Sequence, residues 1–143
     1  MMEKLDLSSL RSAILALEAS LAVVADQQWF NNQSLAVQNT VISGVIQNFE
    51  CVYELSVKML RRQLEKEASS PSEIDQSDFR DLLRTAAEKG LVVEVEAWFI
   101  YRKMRNITAH TYDHEKAQQV YCGTLAFMKD AQNFLAALEA RNG

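Results

Sequence analysis

The sequence predicts an all-α fold, a five-helix antiparallel up-and-down bundle. Three observations point to it. The 143 residues contain only four glycines and one proline against many Ala, Leu, Glu, Gln and Arg, a balance that favours helix. Apolar residues recur at steps of three and four through each long segment, and no segment of any length alternates as a strand would.

Leu7, Leu10, Ile14, Leu17, Leu21 and Val24 form one apolar stripe, predicting a first helix over roughly Ser8 to Gln27. After the polar break Asn31-Asn32-Gln33, Ile42, Val45, Ile46, Phe49, Val52, Tyr53, Ser56, Met59 and Leu60 predict a second helix, ending in the charged stretch Arg61 to Glu67. Ser69-Ser70-Pro71-Ser72-Glu73 reads as the linker. Ser70 and Glu73 have capping-box spacing around a proline at the first helical position. Ser77 and Asp78 offer a further start for a helix over Phe79 to Lys89, which Gly90 stops. The fourth helix is expected over about Val93 to Ala109. Asp113 caps the fifth, whose stripe is Ala117, Tyr121, Thr124, Met128, Ala131, Leu135 and Leu138.

Length and composition suit one domain spanning residues 1–143. The formal net charge of -4 and pI near 5.2 argue against a general nucleic-acid-coating protein, because neutralising phosphates takes a basic surface. Any RNA or nucleotide contact must be local. Cys51 and Cys122 are isolated within apolar patterns and read as two reduced, buried thiols. The N-terminal MMEKLDLSSLRSAI lacks a charged leader followed by an apolar run, and no stretch reaches the roughly 18 uninterrupted apolar residues of a membrane span. A cytoplasmic protein without a membrane association is expected.

The fourth helix carries the chemistry. At 100° per residue, Val93, Ala97, Ile100, Met104 and Ile107 fall on one side as ordinary core. Trp98, Arg102, Arg105, Asn106, Val95 and Ala109 fall on the other. A tryptophan beside arginines is the composition of an interface or anion site. Next come His110 and His114, the only histidines. Histidine exchanges protons near neutrality and arginine holds phosphate, so Arg105 with His110 would make a minimal metal-free phosphoester site. Five helical residues splay two side chains by about 140°. The pair therefore converges only if the helix ends between them or a second subunit contributes. His110-x-x-x-His114 has zinc-ligand spacing, but Asp113 interrupts it and no HExxH glutamate is present, so no metal site is expected. Glycine-rich phosphate loops and paired-aspartate nucleotidyltransferase signatures are absent.

Arg105-Asn106-x-x-x-His110-x-Tyr112 resembles the RNxxxHxY signature of the HEPN superfamily. Together with Phe49-Glu50-x-x-Tyr53-Glu54-Leu55-x-x-Lys58 and Gly90-Leu91, it resembles more narrowly the nucleotidyltransferase substrate-binding protein family, over about Gly44 to Tyr121. That resemblance implies a bundle similar to the helical substrate-binding domain of aminoglycoside nucleotidyltransferases. It also implies a homodimer and a partner, a small separate nucleotidyltransferase that carries the ATP or other nucleotide; no cofactor is expected on this chain.

The resemblance implies two roles, the first the expected one and the second the alternative, which leave open whether the chain is itself an enzyme. In the first, it is the substrate-binding or regulatory subunit of a two-component nucleotidyltransferase, with Arg102, Arg105, Trp98, Glu50, Glu54 and Tyr53 as substrate-binding residues. In the second, it is a metal-independent endoribonuclease toxin. Arg105 would hold the scissile phosphate, His110 would move a proton, Asn106 would orient them, and Tyr112 would accept AMP from the partner. A dimer would bring both motif copies to one cleft. Glu50 and Glu54, four apart and hence on one face, are expected to pair with Arg102 and Arg105 across the bundle, since charges taken from water are usually matched.

Overall fold

A computed structural model describes residues 4–143; Met1 to Glu3, the start of the segment searched above for a leader, lie outside the described residues. The long helices are α1 (Ser8–Ala25), α3 (Leu35–Glu67), α5 (Phe79–Glu88), α6 (Val95–Ile107) and α7 (His114–Asn142), with short helices α2 (Gln27–Asn31) and α4 (Pro71–Asp75) between them. The five expected helices are all present. Among the described residues there is no strand.

Local chemistry sets most boundaries. Asp26 accepts from the Trp29 N–H and starts α2 afresh, so the first helix closes at Ala25 rather than Gln27. Ser34 caps α3 through the Val37 N–H, placing its start ahead of the apolar stripe, and α3 carries on through the charged stretch to Glu67. Pro71 occupies the first turn of α4, but Ser70 makes no side-chain cap there; its hydroxyl meets that of Ser72 instead. Asp78 caps α5. Gly90, at φ +76°, closes α5 in a Schellman arrangement, with Leu91 N–H on the Ala86 carbonyl and Gly90 N–H on that of Ala87. Asp113 caps α7 through the N–H groups of Glu115 and Lys116.

The long helices α1, α3 and α7 pack around one core, and α6 lies along α7. Leu5 N–H reaches Asn142, Arg11 faces Glu139, and Gln132 donates to Glu18, so α1 and α7 are antiparallel. Asn142 also joins Gln63 and Lys66 at the end of α3, while Arg141 bridges Glu67 and the Lys89 carbonyl. Hence α3, α5 and α7 all finish at one end, opposed by α1 and α6, and the segment through α4 carries the chain back.

Three sequence expectations change. Cys51 and Cys122 are exposed, because Cys51 sits one residue, about 100°, off the buried stripe of its helix and Cys122 two residues, about 200°, from the buried Val120 and Thr124. The core face of α6 is Trp98, Tyr101 and Met104, whereas Val93 precedes the helix at 88% exposure and Ile100 is exposed. The buried face was built from aromatics with polar tips rather than from aliphatics: Trp98 packs edge-on against Tyr101, Phe127 and Phe134, and the Tyr101 hydroxyl is satisfied by Asp130. Finally, α1 has a mean hydropathy of 1.4 over 18 residues, enough by length and composition alone to cross a membrane. In the fold, Leu10, Ile14, Leu17 and Val24 pack inward, Ala13 and Leu21 are partly buried against the core, and Leu15 and Val23 are exposed.

Candidate functional site

The RNxxxHxY residues gather where α6 gives way to α7. The helix ends at Ile107, and a single 3-10 turn, Thr108–His110, follows. Thr108, buried beneath it, returns its hydroxyl to the Arg105 carbonyl at 2.7 Å and receives Arg105 Nη1 at 3.2 Å. The Thr111 hydroxyl donates to the Thr108 carbonyl, and the Asp113 N–H to the His110 carbonyl. The helix does terminate between Arg105 and His110, one of the two conditions for their convergence.

Arg105 points across to α3. Its Nε and Nη2 donate to one oxygen of Glu54 at 2.9 and 2.6 Å, and Glu50 lies 3.8 Å from Nη2. The Glu54 hydrogen bonds and the two nearby carboxylates raise the Arg105 pKa further, so the guanidinium is charged at any working pH. The expected ion pairing is therefore present for Arg105. Arg102 instead lies over the Phe79 ring, its guanidinium carbon 4.5 Å from the centroid.

His110 and Asn106 are exposed, and Tyr112 is 85% exposed. The His110 and Tyr112 rings meet edge-on, 6.0 Å between centroids. Beside them, Tyr112, Thr111 and His114 border a cleft against Ile42 and Ser43 of α3. Trp98 and Tyr53, expected at a substrate site, are core residues at 4% and 7% exposure. Burial pushes the Tyr53 hydroxyl up to about 12, Arg102 and Arg105 pulling the other way. His110 lies in the 3-10 turn and His114 begins α7, and among the described residues no group of three or more His, Cys, Asp or Glu could hold a metal ion. The residues that spacing did not single out are Thr108 and Phe79. A threonine three residues after Arg105 was a legible signal for helix-end bonding; the Phe79 contact comes from another helix and had none.

The turn thus presents an imidazole, an amide and a phenol to solvent, with a clamped guanidinium behind them. It offers proton exchange and phosphate binding on an open surface, and no enclosed chamber.

A family model described as nucleotidyltransferase substrate binding protein like matches residues 5–140. A Haemophilus influenzae protein named probable ribonuclease HepT is 44% identical over 142 residues, covering 99% of this chain and 97% of that one. A solved Haemophilus influenzae structure, described as revealing the fold of a substrate binding domain of a nucleotidyltransferase, superposes with a TM-score of 0.92 at 42% identity, covering 94% of this chain and 99% of that one.

Proposed function

The chain belongs to the nucleotidyltransferase substrate binding protein like family, and we propose that within it this protein is a metal-independent endoribonuclease controlled by a separate nucleotidyltransferase that adds AMP to Tyr112. One observation carries this reading over that of an acceptor-binding subunit. Of the six residues an acceptor site would use, Trp98 and Tyr53 lie in the core and Glu50, Glu54 and Arg105 face one another, which leaves Arg102 alone without a charged partner among the described residues. Of those the ribonuclease reading uses, Asn106 at the end of α6, His110 in the 3-10 turn and Tyr112 just after it are all exposed, and Arg105 stands behind them. Small ligands favour concave pockets, whereas an extended polymer can reach an open turn.

In the proposed reaction Arg105 leaves the single Glu54 oxygen it holds for the non-bridging oxygens of the scissile phosphate, exchanging one charge-assisted partner for another. The RNA's 2′-oxygen forms a bond to phosphorus, and the bond from phosphorus to the 5′-oxygen breaks, leaving a 2′,3′-cyclic phosphate and a 5′-hydroxyl. A neutral His110 takes the 2′-hydroxyl proton. The protonated His110 of a second copy, brought to the same cleft in a homodimer, gives one to the leaving oxygen. Asn106 holds the phosphate in line, and Arg105 offsets the charge that builds on it.

Control follows from the same geometry. On the partner enzyme the Tyr112 oxygen would attack the α-phosphorus of ATP, form a phosphodiester, lose its proton and release pyrophosphate. That places an anion beside His110 and obstructs the approach of RNA.

The deciding experiment incubates the purified protein with total RNA in EDTA. Wild type should cut, and Arg105→Ala or His110→Ala should lower the rate by about 10²- to 10⁴-fold while the fold survives. Uncut RNA with wild type, alongside a stable complex with the nucleotidyltransferase, would overturn the ribonuclease reading and return the chain to the acceptor-binding role.

A further inference from the structure

We propose that the outer face shared by α5 and α6 is a docking track for single-stranded RNA; the proposal rests on the reading above that RNA is the substrate. Four side chains form a continuous ladder. The Arg102 guanidinium carbon sits 4.5 Å from the Phe79 centroid, Phe79 meets Phe99 edge-on at 6.1 Å, and the Arg80 guanidinium carbon sits 4.6 Å from the Phe99 centroid. Both rings are half-buried against the core, and both arginines are exposed.

The ring contacts set these two arginines apart. Among the described residues neither Arg80 nor Arg102 makes an ion pair, which is true of most of the cationic side chains, but these two guanidinium groups each lie on an aromatic ring. A guanidinium lying on a ring is held in place through one face. Its other face stays free for a base and its N–H fork for phosphate, the combination that single strands take.

Position joins the ladder to the motif. Arg102 stands one helical turn before Arg105 and Asn106, and at that spacing Arg102 and Asn106 share a face. A strand with its scissile phosphate at Arg105 would therefore pass over Arg102 and on across Phe79, Phe99 and Arg80. This resolves how a protein of net charge -4 could hold RNA: the cationic contacts are local and pre-positioned. A rigid duplex presents no free base faces to the ladder, so the track is for single strands.

The test uses His110→Ala protein, which should leave RNA intact, and a fluorescein-labelled single-stranded oligonucleotide of about a dozen residues, within the usual span of such sites, read by anisotropy. Adding Arg80→Gln and Arg102→Gln should weaken binding about 10- to 30-fold. It should also lower the slope of log affinity against log salt by about 1.4, the share of two single-strand phosphate contacts. Arg80→Lys with Arg102→Lys should restore the slope but only part of the affinity, because lysine keeps the charge and loses the planar stack. Phe79→Leu with Phe99→Leu should weaken binding with the slope unchanged. Unaltered RNA affinity in the glutamine pair would overturn the track, and if nucleotidyltransferase binding is lost at the same time the surface is assigned to a protein partner. The two readings separate cleanly. Wild type that binds RNA through the ladder yet never cuts it keeps the track and removes the ribonuclease, and wild type that cuts RNA as well without the ladder does the reverse.

Discussion

Replacing Glu54 with glutamine removes the charge that clamps Arg105 while keeping the side chain's size. The clamp is short, 2.6 Å from Nη2 to Oε1, but the two side chains are 54% and 32% exposed. Water therefore screens it, and its contribution to stability should be about 0.5–1 kcal/mol. For a chain of this size that corresponds to a melting temperature lower by about 2–4 °C. The effect on RNA should have the opposite sign. A phosphate reaching Arg105 must displace Glu54 and approach Glu50, so deleting one carboxylate should tighten binding of a single-stranded oligonucleotide by about fivefold, the equivalent of roughly 1 kcal/mol. The gain should shrink as salt rises. Circular dichroism melting and fluorescence anisotropy on a His110→Ala background measure the two effects. An affinity that stays level or falls, in protein that melts within a few degrees of the parent, would refute the idea that Glu54 competes with the substrate. A collapse of the fold would refute the estimate of a weak, exposed pair.

Three further outcomes follow from the same structure. Burial raises the Tyr53 hydroxyl to about 12, so the native state holds that proton more tightly than the unfolded chain. The resulting stability is fully present below about pH 10 and should fade as pH rises through 12, by roughly 2–3 kcal/mol; Tyr101, raised by burial and its bond to Asp130, acts in the same direction. Urea unfolding from about pH 9 to 12 should show a shallower loss in Tyr53→Phe, and an identical slope would exclude Tyr53 as a source. Trp98→Ala removes the hub of an aromatic cluster and should cost about 3–5 kcal/mol, with melting lowered by 10 °C or so. A loss under 1 kcal/mol would place the indole at an interface instead. Tyr112→Phe alters an exposed ring and should leave stability within about 0.5 kcal/mol, yet abolish the AMP mass increase after incubation with the nucleotidyltransferase and ATP. Undiminished modification would move the acceptor elsewhere.

Much of the architecture was legible because it is written in neighbours. Stripes such as Leu10, Ile14 and Leu17, the caps Asp78 and Asp113, and the stop at Gly90 depend on residues within a turn or two, and each appears where local physics puts it. The grouping of Arg105, Asn106, His110 and Tyr112 rested on the resemblance to a family signature rather than on spacing. The rotation of α6 was not legible. Val93, Ala97, Ile100, Met104 and Ile107 make an acceptable apolar face on paper, and Trp98, Tyr101 and Met104 make another; hydrophobicity ranks the aliphatics first, since it does not know that Asp130 waits on α7 for the Tyr101 hydroxyl. The same blindness misplaced Cys51, one position off its buried stripe, and Cys122, two positions from Val120 and Thr124.

The sequence by itself determined that this chain is helical and, to within a few residues, where most of its long helices lie, because periodicity and capping are short-range properties. Only the tertiary structure decided which arginine is clamped and which are free. Glu54 reaches Arg105 across 51 residues, and Phe79 and Phe99, from separate helices, turn Arg80 and Arg102 outward as a stacked pair of unpaired cations. Whether a charge is cancelled or available depends on what packing brings within a few ångströms, and only the folded chain supplies those distances.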